Sequence, residues 1–413
     1  MSPYVGKIGL IFFVVVISGA LLIILRDLYA IKDKFFNTKL NFGGHIRQHG
    51  EYWVWHDFIR DSEELSGNES ITLTTHGTYM DLALLPNLLT RWRAPISMSI
   101  YANGEDYQRT MESIAYLDVC MGLSLPIRRY LSIHIIMHSD HMPAVLRYRG
   151  KRPTISSVSC NVIEPFSRCC QHLTYWYNKQ LPYPANLMRN VARMNARTYY
   201  VLAMDIQLLP TPKFVKKFLR FMWDHDWWRF ADIPMPYTTV FCLPTFAHRP
   251  EAPLPLTKRQ LVEVLGEFNI TSPIYDSPQQ QKLWLVAPNP REELFIFRRS
   301  TTMDMCVAYV SINELEPLYD ERLQSESIYE HGANLKGQVL MSLNYTFITL
   351  DGAFLVRRTL DSWEHSELRQ ATFQSEILDM LETWKIFYQQ LLKLVPEGFR
   401  ERLYRRSYNF KRL

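Results

Sequence analysis

The chain has 413 residues, of which 47% are hydrophobic and 21% charged, with a formal net charge of +5. This supports one large domain or two ordinary ones with a substantial core, and it excludes global disorder. So small a positive excess suits anionic small molecules or membrane headgroups, and it lacks the clustered basic charge that marks a nucleic-acid partner.

In chain order, the first feature is the apolar run "IGLIFFVVVISGALLIIL", Ile8 to Leu25, flanked by Lys7 and Arg26. At roughly 18 uncharged residues it lies near the lower limit for crossing a bilayer. It is longer than the apolar region of an ordinary leader, and the small residues "SGA" lie inside it rather than after it. An uncleaved membrane anchor is therefore expected. The expected plan is a short tail (1–7), an anchor (8–25), a stem (26–65) and a globular domain (66–413). Orientation stays open at this level. Arg26, Lys32, Lys34 and Lys39 after the run favour a cytosolic C-terminus by charge count. The sequons at Asn68, Asn269 and Asn344 favour a lumenal one. The 6 cysteines are compatible with disulfides without requiring them, and the adjacent Cys169 and Cys170 give no metal-binding pattern.

Beyond the stem, "SITLTTHGTYMDLALLPNLLTRW" reads as a strand (Ile71–Thr75), a loop and a helix carrying Leu82, Leu84, Leu85 and Leu88. "APISMSIYA" is a second strand, "DYQRTMESIAYL" a helix, "YLSIHIIMHS" a third strand and "PANLMRNVARMNA" a helix running into a fourth, Thr198–Met204. This alternation predicts an α/β fold with a mostly parallel sheet and its site at the carboxyl ends of the strands. Further on, "TKRQLVEVLGEF" is a helix with Thr257 and Gln260 as a capping box. "WLVAP", "ELFIFRR" and "YTFITLDGAFLVRR" read as strands, and residues 366–395 as a long amphipathic helix that packs on the core.

The fourth strand ends in "YVLAMDIQLLP". A buried strand that presents one carboxylate, Asp205, is a common way to hold a metal or a nucleotide; the alternative is an aspartate that caps the next turn. Three stretches settle more. They are "SITLTTHGTYMDLALLPNLLTRWRAPISMSIY", "PANLMRNVARMNARTYYVLAMDIQLLPT" and "LYDERLQSESIYEHGANLKGQVLMSLNYTFITLDGAFLVRR". Over roughly residues 68–365 the chain resembles glycosyltransferase family 49, the family of the beta-1,4-glucuronyltransferase and the LARGE-type C-terminal domain. The resemblance implies a Golgi type II membrane protein with a lumenal GT-A domain. Such a protein transfers a sugar from a UDP-sugar to a glycan acceptor on a glycoprotein, with inversion.

In the family the charge of the leaving diphosphate is met by Mn2+ or Mg2+, held by an Asp-x-Asp pair and a late histidine. Asp205 matches the first aspartate, but Gln207 replaces the second and Arg357 stands where the histidine is expected. Ala247, in "LPTFAH", replaces an acidic residue. Gln207 offers an amide oxygen without charge, and Arg357 would repel a cation. A weakened or absent metal site follows. Arg357, with Arg358 beside it, then either takes over the cation's task by binding phosphate oxygens, or the domain binds a glycan or nucleotide without catalysis. By the same resemblance Arg189 and Asn190 are candidate phosphate or nucleotide contacts. Thr74 and Thr75 are placed at the uracil or ribose. Asp320 and Glu321 are the acidic candidates for the base that inversion requires, with an Asp320–Arg322 structural pair as the alternative for Asp320.

Overall fold

The computed structural model describes residues 40–121, 124–144, 146, 160, 165–166, 174–224, 238–249, 251–268, 278–302, 306–322, 335–358, 386, 389–390 and 393. The apolar run Ile8–Leu25, most of the amphipathic stretch 366–395, and Cys169 and Cys170 lie outside these residues. Among the described residues no helix is long and apolar enough to cross a membrane.

The strands are β1 (Asn41–Phe42), β2 (His45–His49), β3 (Tyr52–Arg60), β4 (Gly67–Gly77), β5 (Ile96–Tyr101), β6 (Leu131–His138), β7 (Thr198–Ala203), β8 (Leu208–Pro210), β9 (Thr239–Leu243), β10 (Thr245–His248), β11 (Phe295–Ser300), β12 (Ala308–Ile312), β13 (Thr346–Asp351) and β14 (Leu355–Arg358). The main helices are α1 (Leu85–Trp92), α2 (Asp106–Val119), α3 (Ser124–Tyr130), α4 (Tyr175–Asn178), α5 (Ala185–Met194), α6 (Phe214–Asp224), α7 (Lys258–Glu267), α8 (Pro278–Val286) and α9 (Leu335–Ser342).

The result is a mixed α/β fold with one large sheet. Its centre, in the order β6-β5-β4-β7, is parallel throughout. The flanks are not: β3 pairs antiparallel with β6, and β12 pairs antiparallel with both β7 and β9. The expected mostly parallel sheet is thus corrected to a mixed one. The antiparallel pairs come from β3 at one flank and from β12, which inserts between β7 and β9, and β11, which adds to β13; β13 itself pairs parallel with β9. β2 and β3, within residues 26–65, join this sheet as an antiparallel hairpin.

Two further expectations change. "WLVAP" is not a strand, because Trp284 and Val286 close helix α8. Trp284 is fully buried and donates from Nε1 to the Leu350 carbonyl at 3.0 Å. "YTFITLDGAFLVRR" breaks at Gly352 (φ +80), where a side chain would collide with the Glu293 carbonyl, and so yields two strands in two sheets. The N-cap of α7 stands as expected, with the Gln260 N–H donating to Thr257 Oγ1 at 3.2 Å, but the reciprocal half of the box differs: Gln260 Oε1 accepts from the Leu256 N–H at 2.9 Å.

β5 and β6 are buried along almost their whole length, as strands covered on both faces must be. α5 packs on β4 and β5. There Leu187, Met188 and Val191 meet Tyr52, Tyr101 and Ile136. His134 ties these layers together. The Asp57 N–H donates to its Nδ1 (2.9 Å), its Nε2 pairs with Ser97 Oγ (2.9 Å), and Ser97 donates to the Ala192 carbonyl (2.6 Å). Burial, then the nearby His56, pushes its pKa down to about 3, so the ring stays neutral.

Two disulfides join Cys120 to Cys160 and Cys242 to Cys306. The second pins β9 to the approach to β12 across a sequence separation of 64. Closing a loop of that size stabilises by about 4 kcal/mol in the chain-entropy account.

Candidate functional site

Two parallel strands, β4 and β7, end side by side. The Met204 N–H donates to the Thr74 carbonyl at 3.1 Å and carries the register past the last ladder pair. The chain then turns. The Leu208 N–H donates to the Asp205 carbonyl at 3.0 Å, which closes a tight turn over Asp205–Leu208 and opens β8. Asp205 therefore sits at the carboxyl end of a central strand, as expected, with its side chain 36% exposed.

β4 runs on beyond the expected Thr75 to Gly77. Thr74 and Thr75 are buried within the sheet, and the tip beside Asp205 is His76. His76 is 6% exposed. Its Nδ1 pairs with the Tyr183 hydroxyl at 2.9 Å, and its Nε2 faces Asp205 Oδ1 at 4.0 Å. Burial, and then the Arg189 guanidinium, hold the pKa well below the usual histidine value, so the imidazole is neutral. His76 lies one residue beyond the strand Ile71–Thr75 that the local pattern predicts. The signal available was "THG", in which a glycine bounds the strand.

Helix α5 supplies the second wall. Asn186, Arg189, Asn190 and Arg193 recur at three- and four-residue steps and share one buried face. This face grips the segment 317–321. Asn186 Nδ2 donates to the Asp320 carbonyl (2.8 Å), and Arg193 donates to the Pro317 carbonyl (3.0 Å). Asn190 accepts from the Tyr319 N–H (2.8 Å) and donates to the Tyr319 carbonyl (2.9 Å) and to Glu321 Oε1 (2.8 Å). Its amide is thereby engaged in fixing the acidic segment. Arg189 lies over the Tyr319 ring at 5.5 Å, donates to Asn186 Oδ1 at 2.9 Å and reaches Asp205 Oδ1 at 3.6 Å. One helix face thus holds Asp205 through Arg189 and Glu321 through Asn190.

The two acidic candidates separate. Asp320 is bound twice by Arg322, at 2.9 Å from Nε and 2.5 Å from Nη2. Those bonds outweigh its burial and hold its pKa below the usual carboxylate range. This is the structural pair weighed as the alternative, and it disfavours Asp320 as a proton acceptor. Glu321 keeps a half-exposed carboxylate between Asn190 and His49 Nε2, the latter at 2.6 Å.

Two of the three departures from the family pattern, Ala247 and Arg357, pair in the small sheet β10-β14-β8, and the third, Gln207, immediately precedes strand β8. Arg357 lies in register with Ala247 on one side and with Leu208, next to Gln207, on the other. Gln207 and Arg357 are both half-buried.

Asp205 and Gln207 alone are a poor seat for a divalent cation, with one charge between them and Arg189 close by. Among the described residues no three His, Cys, Asp or Glu side chains gather. His76 brings an imidazole to face Asp205, and a carboxylate with an imidazole suits Mn2+ or Mg2+ where further oxygen ligands come from a diphosphate or water.

Residues 70–389 match the protein family described as a glycosyl-transferase for dystroglycan. The chain belongs to glycosyltransferase family 49. Membership places it among enzymes that transfer a sugar from a nucleotide sugar. The chain is 27% identical to the beta-1,4-glucuronyltransferase 1 of Danio rerio, over 77% of this chain and 75% of that one. It is 24% identical to that of Mus musculus, over 81% and 77%, and 24% identical to that of Homo sapiens, over 78% and 75%. Among solved structures, S. aureus TarS 1-349 in complex with UDP aligns at a TM-score of 0.30 and 11% identity, covering 75% of this chain and 65% of that one. A longer S. aureus TarS chain also aligns at 0.30, with 10% identity over 73% of this family-49 chain, which spans 39% of that chain's length.

Proposed function

We propose that this protein transfers glucuronate, xylose or N-acetylglucosamine from a UDP-sugar to a glycan acceptor on a glycoprotein, with inversion, in a GT-A domain spanning residues 66–413. Glu321 is the base that takes the acceptor hydroxyl proton. Its support is the position given it by Asn190, on the same helix face that carries Arg189 to Asp205. Arg189 and Arg357 meet the charge that develops on the leaving diphosphate, where preformed cationic donors act most strongly.

The observation that carries this reading is the register of Arg357 with Ala247 and Leu208. Ala247 and Arg357 are register neighbours, so the guanidinium stands beside a small uncharged residue and the local charge is shifted toward positive, which suits an anionic diphosphate. A second reading, a non-catalytic binder of glycan or nucleotide, is favoured by the single carboxylate left in the turn Asp205–Leu208.

The test is hydrolysis and transfer across a panel of UDP-sugars, with manganese and with EDTA. We expect turnover that persists in part in EDTA, rises with manganese, and falls by about 100-fold in Arg357→Ala under EDTA. Turnover that needs manganese absolutely would remove Arg357 from the mechanism. Absence of turnover with every donor, despite UDP binding, supports the non-catalytic reading.

We further propose that residues 8–25 anchor the protein in the Golgi membrane with the C-terminal bulk in the lumen. The two disulfides support an oxidising compartment. Asn344, in a left-handed turn at φ 61, and Asn68 are both exposed and open to a glycan. A glycosidase-sensitive mass shift, smaller in Asn344→Gln, is the expected result. A chain from secretory membranes that shows no shift would count against the lumenal orientation.

A further inference from the structure

We propose that His76 supplies the nitrogen donor of the divalent-cation site in this chain, filling the place left open by Gln207 and Arg357. The inference rests on the UDP-sugar reading above. It begins from an unspent atom. His76 is buried at the tip of β4, yet its Nε2 has no hydrogen-bond partner among the described residues. A buried polar atom left without a partner calls for a reason.

The contrast with His134 is direct. That ring, equally enclosed, spends both nitrogens inside the protein, on the Asp57 N–H and on Ser97. His76 spends one. Tyr183 holds Nδ1 at 2.9 Å and so fixes the ring plane, which leaves Nε2 directed at Asp205 Oδ1. The 4.0 Å between Nε2 and Oδ1 is too long for a hydrogen bond. Carboxylate and imidazole face each other with neither bonded to the other. They come from the ends of two adjacent parallel strands, so the sheet itself sets their spacing. A tyrosine on the far nitrogen of a ligating histidine, and an arginine on the ligating carboxylate, are outer partners of the kind that orient metal ligands.

Arg189 at 3.6 Å from the same Oδ1 draws on that carboxylate and keeps the site weak by itself. The diphosphate must then contribute oxygens, so the cation is taken up together with UDP rather than before it. This accounts for a chain that keeps Asp205 while Gln207 and Arg357 stand at the other two ligand positions.

The test uses the detergent-solubilised full chain and the electron paramagnetic resonance signal of free Mn2+, titrated with and without UDP. UDP binding in EDTA and the thermal midpoint serve as folding controls. The wild type is expected to take up Mn2+ when UDP is present. His76→Ala is expected to weaken that uptake by about tenfold or more, and Tyr183→Phe by a smaller factor, with UDP binding in EDTA retained by both. If His76→Ala fails the folding controls, His76→Gln is measured in its place. Mn2+ uptake by the His76 variant at wild-type affinity overturns the proposal. A wild type that binds UDP but no Mn2+ overturns it as well and leaves the transferase reading standing. A wild type that binds neither overturns both.

Discussion

Asp205→Asn is expected to lower kcat/KM for sugar transfer by about 10²–10³-fold, the scale on which removal of one preorganised charge from a transition-state site is felt. The change preserves shape and removes the charge. Two groups lose their counterpart. Arg189 at 3.6 Å no longer has an anion beside it, and His76 no longer faces one. The stability cost should stay below about 1 kcal/mol, because the Asp205 side chain is more than a third exposed and the ion pair is long. Arg189 also keeps Asn186 and the Tyr319 ring. Steady-state kinetics and a thermal melt on the same sample separate the two effects. A variant with more than about half the wild-type kcat/KM would show that Asp205 only caps its turn.

The second large effect is on stability. Glu316 is buried among Arg193 (3.4 Å), Lys336 (3.0 Å) and the Tyr309 hydroxyl (2.9 Å), and it also accepts from Ser311. Lys336 lies in turn 4.6 Å from the centre of the Tyr319 ring. This cluster anchors the segment that α5 grips, and so it positions Glu321. Glu316→Ala strands two buried cations and is expected to cost about 3–5 kcal/mol of unfolding free energy. The same variant should reduce transfer through loss of order at residues 319–321.

Burial alone would raise the Glu316 pKa. Lys336 and Arg193, helped by Ser311, outweigh burial and hold it below the usual glutamate value. The unfolded chain therefore binds the proton more readily than the folded one. The stabilisation from this carboxylate is fully present above the unfolded pKa, and it is lost as pH falls through the lower folded value. In urea titrations below about pH 4.5 the wild type should lose stability more steeply than Glu316→Gln. Parallel pH profiles, or a loss under about 1 kcal/mol in Glu316→Ala, would show that the cluster contributes little.

Much of the central sheet was legible because its strands are apolar on both faces and its helices are strongly periodic. Residues 71–75, 198–204 and the helix before Thr198 could be read from local pattern. "WLVAP" could not, since a short apolar run fits a buried helix end as well as a strand, and only the seat of Trp284 against β13 decides between them. In the same way, the direction of the late strands is set by which neighbours they find across the sheet, and that information is absent from any one segment.

The site divides along the same line. From sequence alone came the family, Asp205 at a strand end, and the replacements Gln207, Ala247 and Arg357, because each is a matter of residue type at a position in a pattern. Tertiary structure decided which of these meet. Arg357, Ala247 and Leu208 are neighbours through strand register, although more than a hundred residues separate the first and last. Asn190 faces Glu321 and Arg189 faces Asp205 because α5 is wedged between the sheet and residues 317–321. His76, unremarkable in "TTHGTY", gains its interest only where β4 runs two residues past Thr75, to Gly77, and so brings the imidazole against Asp205. Residue chemistry is carried by the chain locally, whereas distance between side chains arises only when the strands pair and the helices dock.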